Sequence, residues 1–150
     1  MYEPHLLQKQ AYEELLTRLN QLTPSNTAAW GKMDVAQMMA HVTANLELAT
    51  SNEKVTFGLI GRLFGKGVKR RFLTNGIPKN APTGAKQLIV DSRQFQPEQE
   101  RLRLQLELFF HAGEVGMSRQ PHDFFGPLTP NEWARLQYLH TDHHFRQFGV

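Results

Sequence analysis

Residues 129–150 read TPNEWARLQYLHTDHHFRQFGV, and the fold is decided by how this stretch is read. Thr129 suits an N-cap, Pro130 the first helical position, and Glu132 the reciprocal position three residues after the cap. The spacing predicts a helix from Pro130 to about Phe148. Along it Trp133, Leu136, His140 and His144 follow at intervals of three, four and four, which is one continuous helical face. A face carrying Trp133 and Leu136 must look inward, so His140 and His144 look inward with it. His143 lies about 60° to the side of His140. Asp142 points nearly opposite and is expected in solvent. Three of the chain's seven histidines fall within five residues here. Histidine is a mediocre helix former and protonated neighbours repel, so a solvated helix gains nothing from such a cluster.

Working outward, three more helices are legible. The leucines between His5 and Leu22 recur at mostly helical spacing, and LTPSNTAAWGK ends that helix. A second begins after Asp34, with Gln37 at the capping-box position, and continues to about Ala49. A third runs from about Pro97 to the glycine stop at Gly113. KQLIVDS, residues 86–92, offers one short β segment and nothing offers it a partner. These elements predict an all-α, four-helix bundle with a long, partly helical connection between helices two and three. That connection of roughly forty-five residues exceeds ordinary helix–helix loops and should carry structure or function of its own.

The composition narrows the function classes. A chain of 150 residues, 40% hydrophobic and 21% charged, reads as a single soluble globular domain, residues 1–150. It contains no cysteine, which excludes disulfides, cysteine-ligated metal and a cysteine nucleophile. Any thiol must arrive as a small molecule. No apolar run reaches the ~20 residues of a membrane span, and the N-terminus lacks a signal-peptide core, so the expected location is cytoplasmic. The net charge of +3 is unevenly distributed. Lys54 to Val90 holds eight basic residues and no acidic one, leaving nine basic against fourteen acidic elsewhere. The basic character belongs to one segment, and no nucleic-acid partner is expected.

His41 adds a third inward imidazole. On the second helix Met38, His41, Asn45 and Leu48 share a face, so His41 belongs to a buried stripe. Two imidazoles one turn apart plus a third from a neighbouring helix can ligate one metal at ~2.0–2.1 Å and leave positions open. An HxxxH pair alone is common by chance, and an inward histidine is more often a hydrogen-bonded core residue. HTDHH also lacks the glutamate of the HExxH zinc-protease motif. The Glu-x-x-His pairs of di-iron bundles are missing too, since Glu107 and His111 are four apart.

WGKMDVAQMMAHV (residues 30–42) and FFGPLTPNEWARLQYLHTDHHFRQFGV (residues 124–150) resemble the DinB/YfiT-like metalloenzyme superfamily, in a branch labelled a domain of unknown function. The likeness covers nearly the whole chain. It implies a four-helix bundle holding one divalent metal, nickel or zinc, on one histidine of the second helix and an HxxxH pair of the fourth. Position by position these are His41, His140 and His144, the residues that the helical faces select. Some relatives transfer or isomerise substrates with a low-molecular-weight thiol, and others are associated with stress or DNA damage. The resemblance thus implies a metal-dependent enzyme, a thiol-dependent transferase or a hydrolase, acting on a small-molecule substrate. The alternative is a non-catalytic metal-binding or ligand-binding stress-response protein. A homodimer stays open.

Two further stretches carry candidates. His122 and Asp123, just before the fourth helix, suit an acid–base pair at the open end of the metal site, or equally a turn that orders the loop. FGLIGRLFGKGVKRRFL, residues 57–73, is amphipathic if helical. Phe57, Ile60, Phe64, Val68 and Phe72 lie on one side, expected to pack as a lid on the bundle end. Its basic side is suited to an anionic substrate, a membrane surface or nucleic acid, with anionic small molecules preferred over DNA. Asn45 and Gln37 are candidate acceptors for the free ring nitrogens of the metal ligands.

Overall fold

The structure, a computed structural model, describes residues 3–150. It is all-helical, with α1 (Lys9–Gln21), α2 (Val35–Thr50), α3 (Leu59–Asn75), α4 (Phe95–Ala112) and α5 (Pro130–Gln147). Two single 3-10 turns, Ala85–Gln87 and Glu114–Gly116, lie in the connections. Both expected capping boxes form. Asp34 accepts from the Gln37 N–H at 2.8 Å while the Gln37 amide accepts from the Asp34 N–H at 3.0 Å. Thr129 and Glu132 exchange the same pair at 3.1 and 2.9 Å. Four orphan donors are therefore satisfied at the N-termini of the two helices that carry the inward histidines.

One core runs through the molecule. Leu15 and Leu19 of α1, Met38, Met39 and Leu46 of α2, and Leu102, Leu106 and Phe109 of α4 are all fully buried. Trp133 and Phe145 of α5 and Phe148 beyond it complete the same cluster. Each large side chain so enclosed contributes roughly 1.5–3 kcal/mol relative to exposure. α2 packs on both α4 and α5, and α1 packs on the same two helices. The His122–Gly126 pairing is an isolated bridge, and no strand forms among the described residues. Residues 86–92 accordingly form no β segment, since no partner strand meets them.

Some expectations change. α1 begins a turn later than the leucine pattern suggests, because His5 and Gln8 close a separate turn instead, the His5 N–H donating to the Gln8 side chain at 3.2 Å. The long connection is partly helical as expected: it holds the 17-residue α3, which makes five helices among the described residues. Asp142 points away from the other inward residues as expected, but it is 6% exposed rather than solvated. Arg18 of α1 meets it at 2.8 Å and Arg146 pairs with its other oxygen. Arg18 also donates to the Val150 carbonyl at 3.0 Å, tying the C-terminus over that side of α5. A buried carboxylate is tolerable there only because two guanidinium groups neutralise it.

α3 also lies otherwise than as a lid. It rests on the loop at Phe124 through glycine: a Cβ at Gly65 would stand 2.0 Å from the Phe124 carbonyl oxygen, and one at Gly61 2.6 Å from it. Backbone contact forms at Gly61 and Gly65, which the helix shows to the body, with Val68 and Phe72 half-buried beside them and the Phe72 ring edge-on to Phe125 at 5.5 Å. Ile60 and Phe64, expected inside, are 68% and 62% exposed.

Candidate metal centre

His41 of α2 and His140 and His144 of α5 converge. Their ligand atoms all lie within 4.8 Å of one another. The Nε2 atoms of His41 and His140 are 2.9 Å apart. Three ligands of a tetrahedral ion at ~2.0–2.1 Å stand roughly 3.3 Å from one another, so small ring adjustments bring this set to a shared ion. The 3.6-residue turn places His140 and His144 one above the other, and α2 crosses so that His41 faces both.

Two hydrogen bonds aim the rings. His41 Nδ1 is 2.7 Å from the carbonyl oxygen of Gln87, an acceptor only, so Nδ1 carries the proton and Nε2 offers its lone pair inward. His144 Nδ1 is 2.7 Å from Gln147 Oε1. The orientation of that amide is settled independently, because Gln147 Nε2 donates to the Trp30 carbonyl at 2.6 Å. His144 therefore donates from Nδ1 and leaves Nε2 free. Gly31, at φ +82°, is part of this arrangement: a Cβ there would lie 2.8 Å from Gln147 Nε2. Gly84 does the same for the other acceptor, since its Cβ would stand 2.6 Å from the Gln87 side-chain oxygen in the turn that presents the Gln87 carbonyl. Acceptors on the far ring nitrogen are the usual supports of ligating histidines.

The site holds its imidazoles neutral. Burial pushes the His41 pKa down, partly offset by the Gln87 carbonyl. Burial, then the His41 charge, brings His144 down to about 3. His140 falls well below the ordinary value, from burial first and then the repulsion it would meet from His144, His41, His143 and His122 whenever they are protonated. A neutral imidazole is the form that ligates a metal. His140 Nδ1 is buried without a partner, and so are Trp133 Nε1 and Gln137 Oε1 on the same helix. Such atoms call for water or a ligand.

The other candidates lie around this cluster. His143 meets the His144 ring edge-on at 5.1 Å between centroids and the Trp30 ring at 5.4 Å, outside the converging set. It lines a neighbouring cavity of about 400 Å³ together with Trp30, Lys79, Arg135 and Arg146. His122 Nδ1 accepts from the N–H groups of Phe124 and Phe125 at 3.1 and 3.2 Å, and the His122–Gly126 bridge closes that turn. Asp123 Oδ1 is 3.0 Å from the same nitrogen. The pair orders the loop beside the Gly84–Gln87 turn and does not enter the cluster.

Neither expected acceptor supports a ring. Asn45 Nδ2 donates to the His41 carbonyl at 2.9 Å, within its own helix, and Gln37 serves the cap and donates to the Asp91 carbonyl at 3.0 Å. The actual supports were missed. Gln147 stands three residues after His144, a spacing that would have found it. Gln87 acts through its backbone, which no side-chain pattern announces.

The fold and the site together define an all-helical protein with a buried three-histidine cluster between two helices. The chain belongs to the family described as Protein of unknown function (DUF1569), whose model matches residues 1–149. No curated protein and no solved structure matches the chain.

Proposed function

We propose that this protein is a metal-dependent enzyme in which His41, His140 and His144 hold one divalent cation, nickel or zinc, with a coordination position left for a small molecule. The observation that carries this reading is the convergence of three neutral imidazoles, two of them with the far nitrogen fastened to an acceptor. Three protein ligands are the mark of catalytic sites, whereas structural zinc sites use four. The metal would supply Lewis acidity, lowering the pKa of a bound water or thiol and polarising an electrophile. The chain's own contribution is to keep the imidazoles unprotonated, aim them, and shield the cluster: His41 and His144 are 4% and 8% exposed, while His140 keeps partial access to solvent.

The same reading treats α1, α2, α4 and α5 as a four-helix bundle of the DinB/YfiT type, and includes a thiol-dependent transferase or hydrolase activity. In support of a small-molecule substrate, the 400 Å³ cavity adjoins His143 and carries Lys79, Arg135 and Arg146 against the single carboxylate Asp142. That balance suits an anionic substrate. The deep burial of His41 and His144 favours a second reading, a metal held for stability alone.

Metal analysis of untagged protein tests the first step. A stoichiometric divalent ion, lost in His144→Ala and kept in His143→Ala, is expected; equal loss in both would overturn the ligand assignment. Cobalt-substituted protein titrated with a small thiol separates the two readings. A changed visible spectrum means an open position, and an unchanged one leaves the structural role.

A further inference from the structure

The outward side of α3 is unpartnered. Leu59, Ile60, Leu63 and Phe64 are 73%, 68%, 68% and 62% exposed. At 100° per residue they occupy an arc of roughly 140°, turned away from the glycine face that rests on Phe124. Four such side chains present roughly 500 Å² of contiguous apolar surface, at the upper end of what a monomer leaves in water. The arc is bordered by cations. Lys66, Arg70 and Arg71 are exposed and form no ion pair among the described residues, and no acidic residue occurs between Lys54 and Val90. Beside the helix, Arg62 and Lys66 line a groove of about 320 Å³ with Phe57 and Phe125. Lys69 in the same groove is paired with Glu132 at 2.8 Å, which leaves two cations without an ion pair among the described residues over an aromatic floor.

We propose that α3 is an interfacial helix that docks the protein on an anionic lipid surface, Leu59, Ile60, Leu63 and Phe64 entering the headgroup boundary while the basic border and groove meet lipid phosphates. An apolar face with a lysine- and arginine-rich border is the pattern of helices that lie in the membrane plane. No helix among the described residues is long and apolar enough to cross a membrane, and the contact proposed is a peripheral one. A second copy of the chain fits less well. The apolar arc falls short of the ~800 Å² per partner of a standard protein interface, and two such faces would bring like charges together. The glycine seat also explains the orientation: it spends the small residues on the body and leaves the large ones outward.

The test uses the full chain in flotation with vesicles of phosphatidylcholine alone or mixed with phosphatidylglycerol, alongside sedimentation of the protein without lipid. Binding to the anionic vesicles, weakened by salt and absent from neutral ones, is expected. Leu63→Glu with Phe64→Glu should abolish it, with helical circular dichroism retained because both side chains are exposed. Arg70→Glu with Arg71→Glu should weaken it about tenfold or more. Wild-type protein that fails to float with anionic vesicles at low salt would overturn the proposal. So would a stable dimer in solution that Leu63→Glu with Phe64→Glu dissociates, because a second copy would then own this face.

Discussion

Single residues at the cluster act in pairs, a ligand candidate with the acceptor that holds its far nitrogen. Gln147→Leu leaves the buried His144 N–H without a partner, at a cost of about 1–3 kcal/mol, and frees the half-buried Trp30 carbonyl as well. The ring then loses its fixed aim, and affinity for a divalent ion should fall about 10–100-fold, read by calorimetric titration with zinc. Gly31→Ala should weaken binding in the same direction, since the new Cβ meets the Gln147 amide and the position has positive φ. Unchanged affinity in both variants would detach Gln147 from the site. Protonation supplies a further check on metal-free protein. His144 titrates near 3 when folded and near 6.5 when unfolded, so between those values the unfolded chain binds more protons. Stability should be complete above about pH 6.5 and fall as pH drops toward 3, by up to about 1.4 kcal/mol per unit from this residue. His41 and His140, shifted in the same direction, steepen the loss. Denaturant titrations across that window should show the slope, flattened in His144→Ala.

Helices α2 and α5 start where capping boxes dictate, and both starts were legible because a cap is a local exchange between residues three apart. Thr129→Ala should cost about 1 kcal/mol of unfolding free energy, with the histidine cluster intact, since the histidines lie more than two turns along α5. α3 follows a different rule. Its periodicity correctly marks a helix, yet its inward face is made by Gly61 and Gly65 because the partner is a backbone carbonyl rather than a hydrophobic surface. Gly65→Ala should displace α3 from Phe124, visible as faster amide exchange in residues 59–75 with α2 unaffected.

Across the whole molecule the cluster joins α2 to α5, so an ion bound there bridges elements distant in sequence. Zinc or nickel should raise the melting temperature of the wild-type chain in a concentration-dependent way and do little for His41→Ala. A melting curve indifferent to both metal and chelator would argue against a shared ion. What the sequence by itself determined is whatever depends on neighbours along the chain. That covers the all-helical class, two capping boxes, the helical register of His41, His140 and His144, and the outlying position of His143. Each is a consequence of 3.6-residue periodicity or of a three-residue cap. Only the tertiary structure decided the environments. Asp142 lies buried because Arg18 and the C-terminus close over it, and Ile60 and Phe64 of α3 face out because glycine brings its backbone onto Phe124. Likewise the Gln87 carbonyl, 46 residues from His41, supports that ring through a backbone atom that every residue possesses. Burial and long-range backbone contacts depend on what arrives from elsewhere in the chain, and no local pattern encodes that arrival.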